Sequence, residues 1–126
     1  VRSVTHYVAD DLLKVMPPAV ADLANLIRLT ILEHTPHCEE ATIPAAKAIH
    51  YILEGPDYVP GPFLTLAVTS RSITLVFLYG DQVPDPERLL EGYGGRKREL
   101  KITNAHEAKN PALKGLIEAA RMVRKR

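Results

Sequence analysis

Residues Glu33-His34-Thr35-Pro36-His37-Cys38-Glu39-Glu40 hold the densest run of metal-ligating side chains in the sequence. The candidate ligands are Glu33, His34, His37, Cys38, Glu39 and Glu40. Imidazole beside carboxylate suits iron or zinc, and a thiolate adds zinc or copper(I). A helix that ends before Pro36, followed by a loop, would bring His34 and His37 together. On an extended segment, His37 and Cys38 would point apart. The spacing matches no closed zinc motif. A single cysteine also excludes an internal disulfide and any multi-cysteine zinc site. The bland alternative is a solvated loop in which Cys38 is a small buried filler.

A second constellation is Gly92-Tyr93-Gly94-Gly95-Arg96-Lys97-Arg98. Glycines let backbone N–H groups converge, and flanking Arg and Lys supply charge. Gly94, Gly95, Arg96, Lys97 and Arg98 are therefore candidate contacts for a small anion. The run lacks the spacer and Lys-Ser/Thr pair of a P-loop, and Lys97 stands where a dinucleotide fingerprint needs its third glycine. One aromatic, Tyr93, is thin support for nucleic acid, which needs basic charge with stacking platforms. The alternative here is a turn that requires positive φ, followed by a charged edge strand.

Catalytic constellations are weaker, and no enzyme activity is expected. Ser70 and Ser72 lack a Gly-x-Ser-x-Gly elbow. Cys38 and His37 are sequence neighbours, which rarely face each other as nucleophile and base. His6, His50 and His106 are scattered. Asp81, Asp85 and Glu87 fall in a Pro-interrupted loop that fits a structural stop at least as well.

The formal net charge is +1, which argues against a dedicated nucleic-acid binder. The total hides a split. Residues 1–87 carry 5 Lys/Arg and 11 Asp/Glu, whereas residues 88–126 carry 11 Lys/Arg and 4 Asp/Glu. Such a division often marks separate acidic and basic surfaces. The 126 residues, 46% hydrophobic and 25% charged, suit one globular domain spanning 1–126. No apolar run approaches a bilayer span and no secretory leader is visible, so the expected location is cytoplasmic, without membrane partners.

The periodicity predicts a short helix over 4–14, capped by Ser3 and interrupted by Pro17-Pro18. A longer helix over 19–34 buries Val20, Leu23, Ala24, Ile27 and Ile31, with Leu26 and Leu29 widening the stripe. A short strand is expected at 39–43, and 45–53 reads equally as strand or helix. Strands at 63–69 and 72–79 are apolar on both faces, hence central, and close into a hairpin. A helical turn at 86–90, a half-exposed edge strand at 96–102 and a helix from Pro111 capped by Asn110 complete the chain. The expected fold is α+β, a two-layer antiparallel sheet packed on N- and C-terminal helices.

The stretch from Leu78-Tyr79-Gly80 to Ile102 resembles the YdhG-like family of bacterial domains, largely of unknown function. An apolar strand ending near glycine, Pro84-Asp85-Pro86, Leu89-Leu90-Glu91-Gly92 and a Gly-rich turn into a basic strand carry the resemblance. The helix before Pro36, the pair Glu39-Glu40 and the closing helix extend it over roughly residues 7–124. The resemblance implies an α-β-α order similar to frataxin, with two helices on one sheet face. It also implies an iron-chaperone role, with iron held loosely by acidic surface residues and handed to an acceptor protein. The other function expected from the residues is a non-metal module that binds a small anion or a protein partner through loop 92–98. A monomer or a homodimer would serve either function.

Overall fold

A computed structural model describes residues 8–92 and 94–126. The expected helix over 4–14 is seen as α1, Ala9–Leu13; Ser3, Val4 and His6 lie outside the described residues, as does Tyr93. Val15, one helical turn beyond Leu12, is 73% exposed, because α1 ends before it. Helix α2 runs Pro18–His34, with Pro17 at the cap and Pro18 in the first turn, where its missing N–H has no helical partner. It buries the five predicted core residues. Leu29, however, is 58% exposed, so the apolar stripe is narrower than its hydrophobicity suggests.

The sheet comprises β1 (Cys38–Ile43), β2 (Ala48–Leu53), β3 (Pro62–Val68), β4 (Ile73–Phe77) and β5 (Arg98–Ile102). Neighbours in sequence are neighbours in space, all antiparallel, so β1 and β5 form the edges. The ambiguous 45–53 segment divides. Pro44–Ala46 makes one 3-10 turn, Lys47 takes a left-handed conformation (φ 50°), and Ala48 starts the strand. Residues 86–90 do not form the expected helical turn. The Asp85 carboxylate accepts hydrogen bonds from the Leu89 and Leu90 amides (2.9 and 2.8 Å) and holds an open loop instead.

After β5 comes one turn of helix, α3 (Ala105–Ala108), which the periodicity does not predict; Asn104 caps it. Helix α4 (Pro111–Val123) follows, with the Asn110 side chain accepting from the Ala112 amide as expected. Helices α2 and α4 pack against each other and against β3. Ile49, Tyr51, Leu64, Leu66, Leu75 and Phe77 alternate onto that covered face and form the core with Ile27, Ile31, Leu113 and Ile117. The architecture is the expected α+β layer. No helix is long and apolar enough to cross a membrane among the described residues.

Candidate functional site

The acidic stretch 33–40 does not close into a ligand set. Residues on β1 alternate sides, so Glu40 faces α2 while Glu39 is exposed on the other face. Arg28 grips Glu40 with two parallel hydrogen bonds, Nε to Oε2 and Nη2 to Oε1, both 2.9 Å. The Tyr51 hydroxyl donates to the same Oε2 at 2.7 Å. A bidentate, charge-assisted pair of this kind is among the stronger polar contacts. Burial alone would raise the Glu40 pKa, but the bonds from Arg28 and Tyr51 outweigh it and hold the carboxyl below its usual range. Arg28 also reaches Asn25 (2.7 Å) and Asp10 (3.2 Å), so this network ties α1, α2, β1 and β2 together.

The other members scatter. His34 pairs through Nδ1 with Glu118 of α4 at 2.9 Å. His37 is exposed in a left-handed conformation (φ 64°), and its carbonyl accepts from the Glu54 amide. Cys38 is half-buried, and burial pushes its thiol up to about 11, which leaves little thiolate for a metal at neutral pH. Glu33 sits exposed on the last turn of α2. Among the described residues, no three His, Cys, Asp or Glu side chains group as a metal site.

The Gly-rich loop behaves differently. Gly94 and Gly95 take φ of 72° and 64°, which L side chains rarely adopt, so the chain reverses sharply before β5. Gly94, Gly95, Arg96 and Lys97 line one open groove of about 660 Å³ together with Leu78 and Tyr79. Arg98, the fifth predicted contact, is not among the groove's residues. Its Nη1 donates to the Gly95 and Lys97 carbonyls (3.1 and 2.8 Å), which braces the turn from within. The Arg98 stem crosses Gly80 so closely that a Cβ there would lie 2.5 Å from the Arg98 Cβ. The Asp81 amide donates to the Arg96 carbonyl (3.0 Å), which anchors the loop to the turn after β4.

Two guanidinium groups flank Tyr79, of which Arg96 lines the groove and Arg124 does not. The Arg124 guanidinium carbon lies 3.8 Å from the Tyr79 ring centre, and that of Arg96 lies 6.0 Å away. Both distances are within cation–π range. The chain end is pinned so that Arg124 sits there. Its carbonyl accepts from the Val59 amide (2.8 Å), and the Arg126 amide donates to the Asp57 carbonyl (2.7 Å). Arg121 donates to the Tyr58 hydroxyl at 2.9 Å on the same side. The Nε of Arg124 is buried and has no hydrogen-bond partner among the described residues. None of the described ion pairs engages Arg96, Lys97 or Arg124.

Family models, curated proteins and solved structures yield no match to this chain.

Tyr79 and Arg124 are the contacts that local sequence patterns miss. Arg124 reads there as one of several basic residues complementing the end of α4, and Tyr79 as the end of an apolar strand. The concentration of positive charge after residue 88 includes Arg124, whereas no local signal singles out Tyr79.

Proposed function

We propose that this protein is a binding module for a small, multiply charged oxyanion of the phosphate class, held in the groove between Tyr79 and the Gly94–Lys97 turn. The observation that carries this reading is the Tyr79 platform with Arg124 and Arg96 beside it, both without a carboxylate partner among the described residues. Guanidinium groups recognise phosphate oxygens through paired, planar N–H donors. Contact with the Tyr79 ring restrains a guanidinium group before any ligand arrives, which reduces the entropy lost on binding. Lys97 adds a mobile point charge, and the open groove gives a charged ligand direct access.

Loose iron handling, which the resemblance implies, has less support. It would rest on exposed carboxylates such as Glu33 and Glu39, since Arg28 engages Glu40 and Glu118 engages His34.

Isothermal titration with pyrophosphate at low salt tests the reading. The expected result is saturable binding that weakens as salt rises and falls about tenfold in Arg96→Ala. No binding of phosphate, pyrophosphate or mononucleotides by the unaltered chain would overturn it.

A further inference from the structure

The outer edge of β5 carries a second feature, independent of the Tyr79 groove. The Glu99 amide donates to the Glu91 carbonyl at 2.8 Å, and the Glu99 carbonyl accepts from the Glu91 amide at 2.7 Å. The main chain of Glu99 therefore faces away from β4. Opposed residues in an antiparallel pair exchange both main-chain bonds or neither, and the pattern alternates. Lys101, two residues on and paired with Thr74, must also turn its N–H and C=O outward. Further along, the Thr103 amide is closed by the Glu107 carboxylate at 2.7 Å. Between these two closed positions, no hydrogen bond among the described residues reaches the main chain of Lys101. One rung of the edge stands open.

That open rung borders a cavity of about 360 Å³ between β5, α3 and the start of α4. Its apolar lining comes from Leu89, Leu100, Ile102 and Leu113. Leu89 and Leu100 remain only half-buried, and the Asp85 carboxylate fixes Leu89 in place by holding its amide. His106 and Lys109 line the same cavity. The one carboxylate there, Glu107, has its Oε1 engaged by the Thr103 amide and hydroxyl. The site thus offers one main-chain donor–acceptor pair, an apolar chamber and side chains that favour negative charge.

We infer that this cavity binds the C-terminal residue of a peptide when that residue is apolar. Running parallel to β5, that residue would donate its N–H to the Lys101 carbonyl, which turns its side chain to the Leu100 and Ile102 face and into the chamber, and its carboxylate would lie near Lys109 and His106. Edge pairing and carboxylate capture are established modes of peptide recognition. A continuing strand does not fit, because the Glu91–Glu99 bridge closes the next rung. A chain end needs only one rung.

Titration of the isotope-labelled full chain, followed by NMR, tests the proposal with N-acetyl-leucine, N-acetyl-leucinamide and a tripeptide ending in leucine. The expected result is saturable perturbation of the Lys101 amide and the Leu113 methyls by N-acetyl-leucine and by the tripeptide. N-acetyl-leucinamide, which lacks the carboxylate, should bind at least about fivefold more weakly, and Lys109→Glu should weaken the tripeptide by a similar factor. Lys109 is exposed, and retained spectral dispersion would verify that the variant folds. No saturation by about 20 mM, or perturbation that ignores both the carboxylate and Lys109→Glu, would overturn the site. Binding of N-acetyl-leucine with exclusion of the tripeptide would overturn the peptide as its source.

Discussion

Arg124, at the end of α4, sits over the ring of Tyr79, which follows strand β4, with its guanidinium carbon 3.8 Å from the ring centre. This contact joins the C-terminal segment to Tyr79, the aromatic residue of the groove, from far away in sequence. Tyr79→Phe keeps the π-face and should keep anion affinity within about twofold, whereas Tyr79→Ala should reduce it roughly tenfold. Titration calorimetry of the two variants checks the difference. Equal loss in both would mean that the hydroxyl, not the ring, matters.

Glu39 and Glu40 are neighbours with opposite structural fates. Glu40→Ala leaves the Arg28 charge half-buried without its main partner and should cost about 2–3 kcal/mol. Glu39→Ala, on the exposed face, should stay within about 0.5 kcal/mol. Urea unfolding of each single variant measures both. Similar losses would contradict the network described here.

Acid should expose the same network. The Glu40 carboxyl titrates below its usual range in the folded chain. The folded state thus binds fewer protons there than the unfolded state. The resulting stability is present above the ordinary carboxylate pKa and is lost as the pH falls through the folded-state value. A series of urea midpoints taken from neutral pH down through the carboxylate range should show a loss that Glu40→Gln flattens. An identical slope in that variant would assign the acid sensitivity to other groups.

Cys38 should be a sluggish thiol. Burial pushes its pKa up to about 11, well above the ordinary thiol range, which lowers its thiolate fraction on the order of a hundredfold. Iodoacetamide should modify the folded chain far more slowly than the urea-unfolded chain at about pH 8. Comparable rates would show that the thiol is open to solvent.

Gly80 supports the turn from beneath. An added Cβ would lie 2.5 Å from the Arg98 Cβ and 3.0 Å from the Arg98 amide nitrogen. Gly80→Ala must therefore displace the start of β5. It should cost about 1–3 kcal/mol and weaken anion binding through a displaced loop. A variant with unchanged melting temperature would show that the contact gives way easily.

The layer architecture was legible because α2 and α4 carry a clear helical apolar period and β3 and β4 are continuous apolar runs. Short elements were not: α3 is one turn held by Asn104, and the 86–90 loop is decided by which amides the Asp85 carboxylate reaches. Leu29 shows the limit of periodicity, since hydrophobic type does not by itself decide which side chains a neighbouring element covers. The basic turn was visible because its glycines and cations are contiguous in sequence. The Tyr79–Arg124 contact was not, because only the folded sheet and the pinned chain end bring those two residues together. The ligand-rich stretch 33–40 misled for the complementary reason. Side chains close in sequence are turned apart by strand alternation and claimed by Arg28 and Glu118.

The most direct measurement is amide mapping by NMR during titration of the full chain with pyrophosphate. The expected result is saturable perturbation centred on Gly94, Gly95, Arg96 and Lys97, with Tyr79 and Arg124 moving on the same curve. No perturbation there, or perturbation centred on residues 33–40 instead, would contradict it.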